Sequence, residues 1–122
     1  MLAALGLLLL ASAAGARTLG WKVFAHSVAS GQNPRAAVFG ATAHPKAIRF
    51  KISGPARRPV SGSWTLNCRL GTQVAVKGGS MSGRAPLTRL LPLPLAAPDK
   101  CAISAYAKLA GSGTVKITVS AR

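Results

Sequence analysis

The sequence predicts an all-β protein: an antiparallel β-sandwich of immunoglobulin-like architecture, with about seven or eight short strands and one disulfide. Three observations predict it. Apolar and polar residues alternate with a period of two in several segments, and no segment has helical periodicity. Gly and Pro turn signals separate these segments, and the chain contains two cysteines. The same pattern is typical of a small barrel, which stays open as an alternative.

Three segments alternate most clearly. In "AIRFKIS", Ile48, Phe50 and Ile52 point one way, whereas Arg49 and Lys51 point the other way. Such a segment is a strand with one buried face and one wet face. The apolar faces of "VSGSWTLNC" and "GTVKITVSA" consist of Val60, Trp64, Leu66, Cys68, Val115, Ile117 and Val119. Shorter strand candidates are "WKVFAHSV", "AAVFGAT", "TQVAVK" and "CAISAYAK".

Two connections are interpreted from their turn residues. Gly111-Ser112-Gly113 separates two strand-like runs by few residues, which predicts a β-hairpin over residues 101–120. Residues 76–84, "VKGGSMSGR", are predicted to form a flexible Gly/Ser hairpin loop. The amides of that loop, between Lys77 and Arg84, could hold a phosphate or sulfate group.

Residues 90–98, "LLPLPLAAP", alternate leucine with proline. If the segment is extended, Pro92 and Pro94 remove N–H groups from the same edge, because residues i and i+2 point their amides in one direction. We therefore predict an outermost strand that cannot recruit another molecule, with its leucines anchored in the core. A polyproline ligand for another domain is the alternative.

Residues 1–16, "MLAALGLLLLASAAGA", form an uncharged apolar run that ends in an A-x-A pattern. This pattern predicts a cleaved export signal, which leaves residues 17–122 as a single β-sandwich domain. An uncleaved membrane anchor is the alternative, although about 20 apolar residues are needed to span a bilayer and this run is shorter. We expect the protein to be secreted or associated with the cell envelope.

The two cysteines, Cys68 and Cys101, are predicted to form one disulfide, because disulfides persist in exported proteins. Two free thiols or a shared metal are the alternatives. Closing a loop of this length would stabilise the fold by about 3 to 4 kcal/mol in the chain-entropy model.

The charge is extreme for the size of the chain: sixteen Lys and Arg residues face one acidic residue, for a formal net charge of +15. Such a field attracts anionic polymers and membrane surfaces and repels other copies, so we expect a monomer. Six basic residues are the candidate anion contacts: Arg49, Lys51, Arg57, Arg58, Lys77 and Arg84. A solubilising surface with no specific partner is the competing interpretation.

Sequence-specific recognition of nucleic acid would require exposed aromatic platforms. Phe50 and Trp64 are predicted to point inward, which leaves Tyr106, with Lys108 on the same face, as the best exposed candidate. We therefore expect no sequence-specific nucleic-acid partner. Nonspecific binding to nucleic acid would weaken steeply with salt.

Catalysis is not predicted. Asp99 is the one carboxylate side chain, so paired-carboxylate chemistry is excluded. It follows Pro98 and is predicted to be scaffold, its carboxylate accepting hydrogen bonds from amides two or three residues further on. His26 is predicted to be a half-buried strand residue and His44 a turn residue before Pro45. We expect no catalytic site, no metal site and no cofactor, because the metal-ligating residue types lie far apart.

The order of "GSWTLNC", a Gly/Ser loop, "APLTRLLPLP" and "PDKCAISAYAKLAGSGTVKITVSAR" resembles uncharacterised small exported proteins of high-GC Gram-positive bacteria. The resemblance covers residues 59–122 through a W-x-x-x-C motif, a connection containing Thr and Pro, a D-x-C pair and the terminal hairpin. It implies no activity. Immunoglobulin domains also pair a core Trp with a disulfide, but here Trp64 precedes the first cysteine on the same strand.

We expect a non-catalytic protein that binds anionic envelope or extracellular polymers through distributed Lys and Arg contacts. The alternative is a structural or partner-binding accessory domain whose charge is incidental. One contiguous basic face would favour the first, and an even spread of charge would favour the second.

Overall fold

The computed structural model describes residues 20–122, so the predicted export signal at residues 1–16 lies outside the described residues. Residues 20–122 form eight strands: β1 (Lys22–Gln32), β2 (Arg35–Ala43), β3 (Ile48–Ser53), β4 (Pro59–Leu70), β5 (Gln73–Arg84), β6 (Leu87–Leu91), β7 (Lys100–Leu109) and β8 (Ser112–Ala121). No helix in this part of the chain is long and apolar enough to cross a membrane.

The strands form two four-stranded antiparallel sheets. The first sheet has the order β1-β8-β3-β6, and the second has the order β2-β7-β4-β5. This confirms the predicted all-β sandwich and decides against a closed barrel. The strand order is that of an eight-stranded jelly roll, which differs from the seven-stranded order of an immunoglobulin domain.

The core lies between the two sheets and consists of the apolar residues that alternate along the strands. All three predicted apolar faces are confirmed: Ile48, Phe50 and Ile52 are buried from the first sheet, as are the β8 valines and Ile117. From the second sheet, Trp64 and Leu66 are buried too. Burying each large apolar side chain contributes about 1.5 to 3 kcal/mol, so this layer is the main source of stability.

The disulfide Cys68–Cys101 is present, as predicted, with both cysteines buried. The two residues are direct register partners on β4 and β7, so the bond lies within the second sheet. An immunoglobulin disulfide, in contrast, links two sheets.

The predicted hairpin over residues 101–120 is wrong. β7 belongs to the second sheet and β8 to the first, so the connection between them crosses the sandwich. β7 is already paired on both sides, with β2 and β4, and has no edge left for β8. The crossing is made at Gly111 and Gly113, whose φ values of 88° and 147° are in the region that glycine tolerates.

The predicted loop over residues 76–84 is also wrong, because these residues lie in β5. This strand pairs with β4 along its whole length, from Gln73 opposite Leu70 to Arg84 opposite Pro59. The turn of this hairpin lies earlier, at Gly71 and Thr72, where Gly71 has a φ of 61°. Continuous pairing with a core strand has outweighed the low strand propensity of the glycines.

The proline-rich segment is placed partly as predicted. β6 is an edge strand but ends at Leu91, so Pro92 and Pro94 follow the strand and do not lie in it. Leu91 is buried, while Leu93 and Leu95 are half-buried against the core. The predicted anchoring role of the leucines is therefore confirmed, and the predicted strand conformation of the prolines is wrong.

Candidate anion-binding face

The outer side of the second sheet is lined by small hydroxyl-bearing residues. On β4 and β7 the apolar residues of each alternating pair enter the core, which leaves the polar residues outside. On β5 the outer residues are Ser80 and Ser82 together with the exposed Val74 and Val76. We call this surface the serine face; its hydroxyl residues are Ser61, Ser63, Thr65, Ser80, Ser82 and Ser104.

Two pairs of cations lie at opposite ends of the serine face. Arg35 on β2 is directly opposite Lys108 on β7, and Arg69 on β4 is directly opposite Lys100 on β7. Lys100 and Lys108 begin and nearly end the same strand, so the two pairs are separated by about 27 Å at the rise of an antiparallel strand. Like charges in direct opposition destabilise a sheet, and an anion bound between them would remove that repulsion.

Two aromatic side chains accompany the hydroxyl groups. The guanidinium carbon of Arg35 lies 3.9 Å from the centroid of the Tyr106 ring, a cation–π contact. Phe39 on β2, opposite Ser104, is 77% exposed, which is unusual for a phenylalanine. Tyr106 and Lys108 share this outer face, as the alternation predicted.

The surface is shallowly indented where its side chains are smallest. One depression lies between the Tyr106 side chain and the serines of β4 and β5, and it is lined by Ser61, Ser63, Ser80 and Ser82. A second lies at the Arg69 and Lys100 pair, where Asn67, Val74 and Ala102 complete the lining. Hydroxyl and amide groups there can exchange hydrogen bonds with a polar ligand, and the cation pair can hold its charge.

The predicted contacts Arg49 and Lys51 lie elsewhere, on the outer side of the first sheet. The Arg49 guanidinium carbon is 4.3 Å from the centroid of a Trp21 ring, and Arg122 stacks on the same tryptophan at 4.7 Å. Lys51 is exposed and stands directly opposite Thr118.

Arg57, Arg58 and Arg84 surround the turn between β3 and β4. The Arg58 guanidinium donates hydrogen bonds to the carbonyl oxygens of Ala110 and Ser112, at 2.6 and 3.1 Å. The Arg84 guanidinium donates to the carbonyl oxygen of Arg57 at 2.8 Å. These two guanidinium groups therefore stabilise connections between strands and have fewer donors free for an anion.

Lys77 lies on the exposed strand β5, away from both groups. The six predicted anion contacts are thus distributed over three places and do not form one site. Charge is spread around the sandwich, which by itself favours a domain whose charge is incidental. Within residues 20–122, the feature that favours anion binding is the serine face, where directly opposed cations flank a neutral polar centre.

Sequence reasoning missed Arg35, Arg69 and Lys100. The signal was available in the disulfide: if Cys68 opposes Cys101 within one sheet, antiparallel register places Arg69 opposite Lys100. Alternation then puts Ser63 and Tyr106 on the same outer face as these cations.

Asp99 takes part in a turn, as predicted, although its partner is different. Its carboxylate Oδ2 accepts a hydrogen bond from the Gly71 amide at 2.8 Å, which ties the β4–β5 turn to the start of β7. The prediction that this carboxylate accepts hydrogen bonds from amides two or three residues after Asp99 is wrong. The His44 amide donates to the Asp99 carbonyl at 2.8 Å, so these two residues meet through their backbones.

His26 is exposed on β1, opposite Thr118, and the prediction that it is half-buried is wrong. His44 is exposed in the turn before Pro45, as predicted, with a φ of 50°. Among residues 20–122 there is no group of three or more His, Cys, Asp or Glu side chains that could hold a metal ion.

No protein-family model and no curated protein sequence matches the chain. Among solved structures, it is similar to TmCBM61 in complex with β-1,4-galactotriose, at 8% identity and a TM-score of 0.40 over 81% of this chain and 86% of that one. It is also similar to the family 11 carbohydrate-binding module from Clostridium thermocellum, at 8% identity and a TM-score of 0.41 over 85% and 89%. A third structure is CBM32 of AlyQ with 4,5-unsaturated mannuronic acid, at 12% identity and a TM-score of 0.38 over 80% and 76%.

Proposed function

We propose that the protein is an exported, non-catalytic β-sandwich that binds anionic polymers of the cell envelope or extracellular space, with the serine face as its main contact surface. The observation that carries the proposal is the pair of directly opposed cations at each end of this face. The buried disulfide supports the expectation of export, because such bonds persist in oxidising compartments.

The opposed cations are best explained by a bound anion. Each pair costs stability as long as nothing lies between its members, and a carboxylate, phosphate or sulfate group would turn that repulsion into two attractive contacts. The protein supplies one counter-charge of its own, Asp99, which adjoins the Arg69 and Lys100 pair and partly offsets its repulsion. The Arg35 and Lys108 pair, at the other end of the face, has no acidic side chain beside it.

The neutral centre of the face indicates a polymer that is only partly charged. Between the cation pairs lie serine and threonine hydroxyls, which suit the hydroxyl groups of a sugar or polyol backbone. A chain lying along β7 would place acidic groups near both pairs at once. Several such contacts, each weak, would give an affinity that no single Arg→Ala change abolishes.

The test is binding of the oxidised protein to a teichoic-type polymer, to heparin and to DNA, each titrated with salt. Two double variants remove the same charge from different faces: Arg69→Ala/Lys108→Ala takes one cation from each opposed pair, and Lys51→Ala/Lys116→Ala is the matched control on the first sheet. At physiological salt we expect about a tenfold loss of affinity for the preferred polymer in the first, and about twofold in the control, because only the first removes short-range contacts.

An equal loss in both double variants for every polymer would contradict the proposal. Binding would then report the overall field of the protein, and the charge would be generic.

A further inference from the structure

Three of the four sheet edges are protected against an additional strand. β6 has five residues, and Pro86 and Pro92 flank it directly. The edges of β1 and β2 meet each other, so closely that a Cβ at Gly40 would lie 2.8 Å from the Cβ of Ala25. The register of β1 also breaks between Val23 and Ala25. Short edges, prolines, bulges and covered edges are the usual means of preventing strand addition.

β5 has one weak protection, the inward-pointing Lys77, which disfavours a neutral or basic strand but not an acidic one. It is twelve residues long, contains no proline, and has one charged residue, Lys77, before its terminal arginine. Val74 and Val76 are 57% and 60% exposed, so the strand also offers apolar surface. Gly78 and Gly79 leave the middle of the edge without side chains.

The free edge of β5 carries a regular row of unpaired backbone groups. In an antiparallel pair, the residues of a non-hydrogen-bonded position point their N–H and C=O groups away from each other. The Arg69 carbonyl faces β7, where it accepts from the Asp99 amide at 2.7 Å, so its partner Val74 faces the free edge. Because this direction alternates along a strand, the N–H and C=O groups of every second residue point to the free edge. These residues are Val74, Val76, Gly78, Ser80 and Ser82.

We propose that this edge binds an extended acidic peptide segment by strand addition, as an activity separate from polymer binding. A second copy of the chain is a poor occupant, because each copy carries a formal charge of +15. An acidic segment, in contrast, is attracted by the positive charge of the protein. Backbone hydrogen bonds would provide its affinity, and alternate side chains its specificity.

Cations and apolar groups lie along the path that the segment would follow. Lys77 points to the inner side of the edge, where the residue opposite it in an added strand would be acidic. Further along, a depression between β5 and β6 is lined by Ser80 and Met81 on one side and Arg89 and Leu90 on the other. On the outer side, apolar residues of the segment would contact Val74 and Val76.

The test uses a fluorescently labelled ten-residue peptide of alternating Val and Glu, and a control peptide of equal charge whose central Val is replaced by Pro. At physiological salt, we expect fluorescence anisotropy to show at least tenfold tighter binding of the first peptide, because the proline interrupts the new ladder. Hydrogen exchange should slow at the free-edge amides of β5, from Val74 to Ser82.

Two variants of the protein sharpen the test. Ser80→Pro removes one N–H from the free edge and leaves the bonds to β4 in place, so affinity should fall about tenfold. Lys77→Glu should weaken binding about fivefold, while Lys116→Glu, with the same change of net charge on the first sheet, should change it by less than about twofold. Circular dichroism checks folding, and Lys77→Glu with the exchange data decides the matter if Ser80→Pro does not fold.

Equal binding of both peptides, or binding without slower exchange in β5, would overturn the proposal in favour of simple electrostatic adhesion. A peptide-independent dimer with the same amides protected would also overturn it, since a second copy would then occupy the edge. Neither result depends on whether the serine face binds a polymer.

Discussion

The outer faces of the two sheets are built from the same residue types, yet they arrange their charges differently. On the first sheet every cation on a central strand stands opposite a neutral residue: Lys51 faces Thr118, and Lys116 faces Ser53. On the second sheet the cations oppose each other, as Arg69 and Lys100 do. Amino-acid composition alone does not explain why cations are paired with neutral residues on one face and with each other on the other face.

The difference indicates that register, and not the abundance of Lys and Arg, sets the character of each face. A surface that is merely soluble has no reason to oppose like charges, since a threonine or serine neighbour avoids the cost. The first sheet follows this simple rule. The second departs from it at both of its ends, which is typical of a surface that gives up some stability for binding.

The largest expected effect comes from breaking the covalent link beside one cation pair. Cys68→Ala/Cys101→Ala should lower the free energy of unfolding by about 3 to 4 kcal/mol, because the disulfide closes a loop of 33 residues' separation. The loss should be smaller in high salt, where repulsion between the neighbouring Arg69 and Lys100 is screened. Urea denaturation at low and high salt measures both.

Chemical reduction of the wild-type disulfide is the control, since it leaves both sulfur atoms in the core. A loss of less than about 1 kcal/mol in both the variant and the reduced protein would show that the second sheet does not need the link. The different charge arrangement of the two outer faces would then depend on strand register and not on the disulfide.

An intermediate effect is expected from reversing one charge on each face. Lys108→Glu places a carboxylate opposite Arg35 and should raise the free energy of unfolding by about 0.5 to 1 kcal/mol. Lys116→Glu makes the same change on the first sheet, where Ser53 and Val28 are the neighbours, and should stay within about 0.3 kcal/mol of wild type. Thermal and urea unfolding at low salt compare the two.

Equal stabilisation by both substitutions would mean that relief of the overall positive charge dominates. The opposed pair would then have no particular cost, and the main support for the serine face as a binding surface would be lost.

Much of the fold could be predicted from the sequence because strand faces are a local property. The alternation of Ile48, Phe50 and Ile52 with cations determines which side is buried, wherever the strand is finally placed. The disulfide was predictable as well, because the chain has one pair of cysteines and no alternative pairing.

The pairing of strands could not be predicted from the same pattern, because it is non-local. Of the seven connections between consecutive strands in the described part of the chain, six cross from one sheet to the other, and the β4–β5 connection is a hairpin. The turn at Gly111 therefore has hairpin residues without forming a hairpin. Contacts between residues far apart in sequence also decide the serine face, which brings Arg35 beside Lys108.

The smallest expected effect separates the two cation–π contacts. Arg49→Gln removes one of the two guanidinium groups that stack on Trp21, the other being that of Arg122. It should cost about 0.5 kcal/mol, because relief of the repulsion between these two cations offsets part of the lost contact. Arg35→Gln removes the contact with Tyr106 but also ends the opposition to Lys108, so at low salt its net change should be near zero. In 1 M salt the repulsion is screened over about 3 Å, and Arg35→Gln should then become as destabilising as Arg49→Gln. If both variants lose the same stability at low salt, the Arg35 and Lys108 pair carries no measurable repulsion.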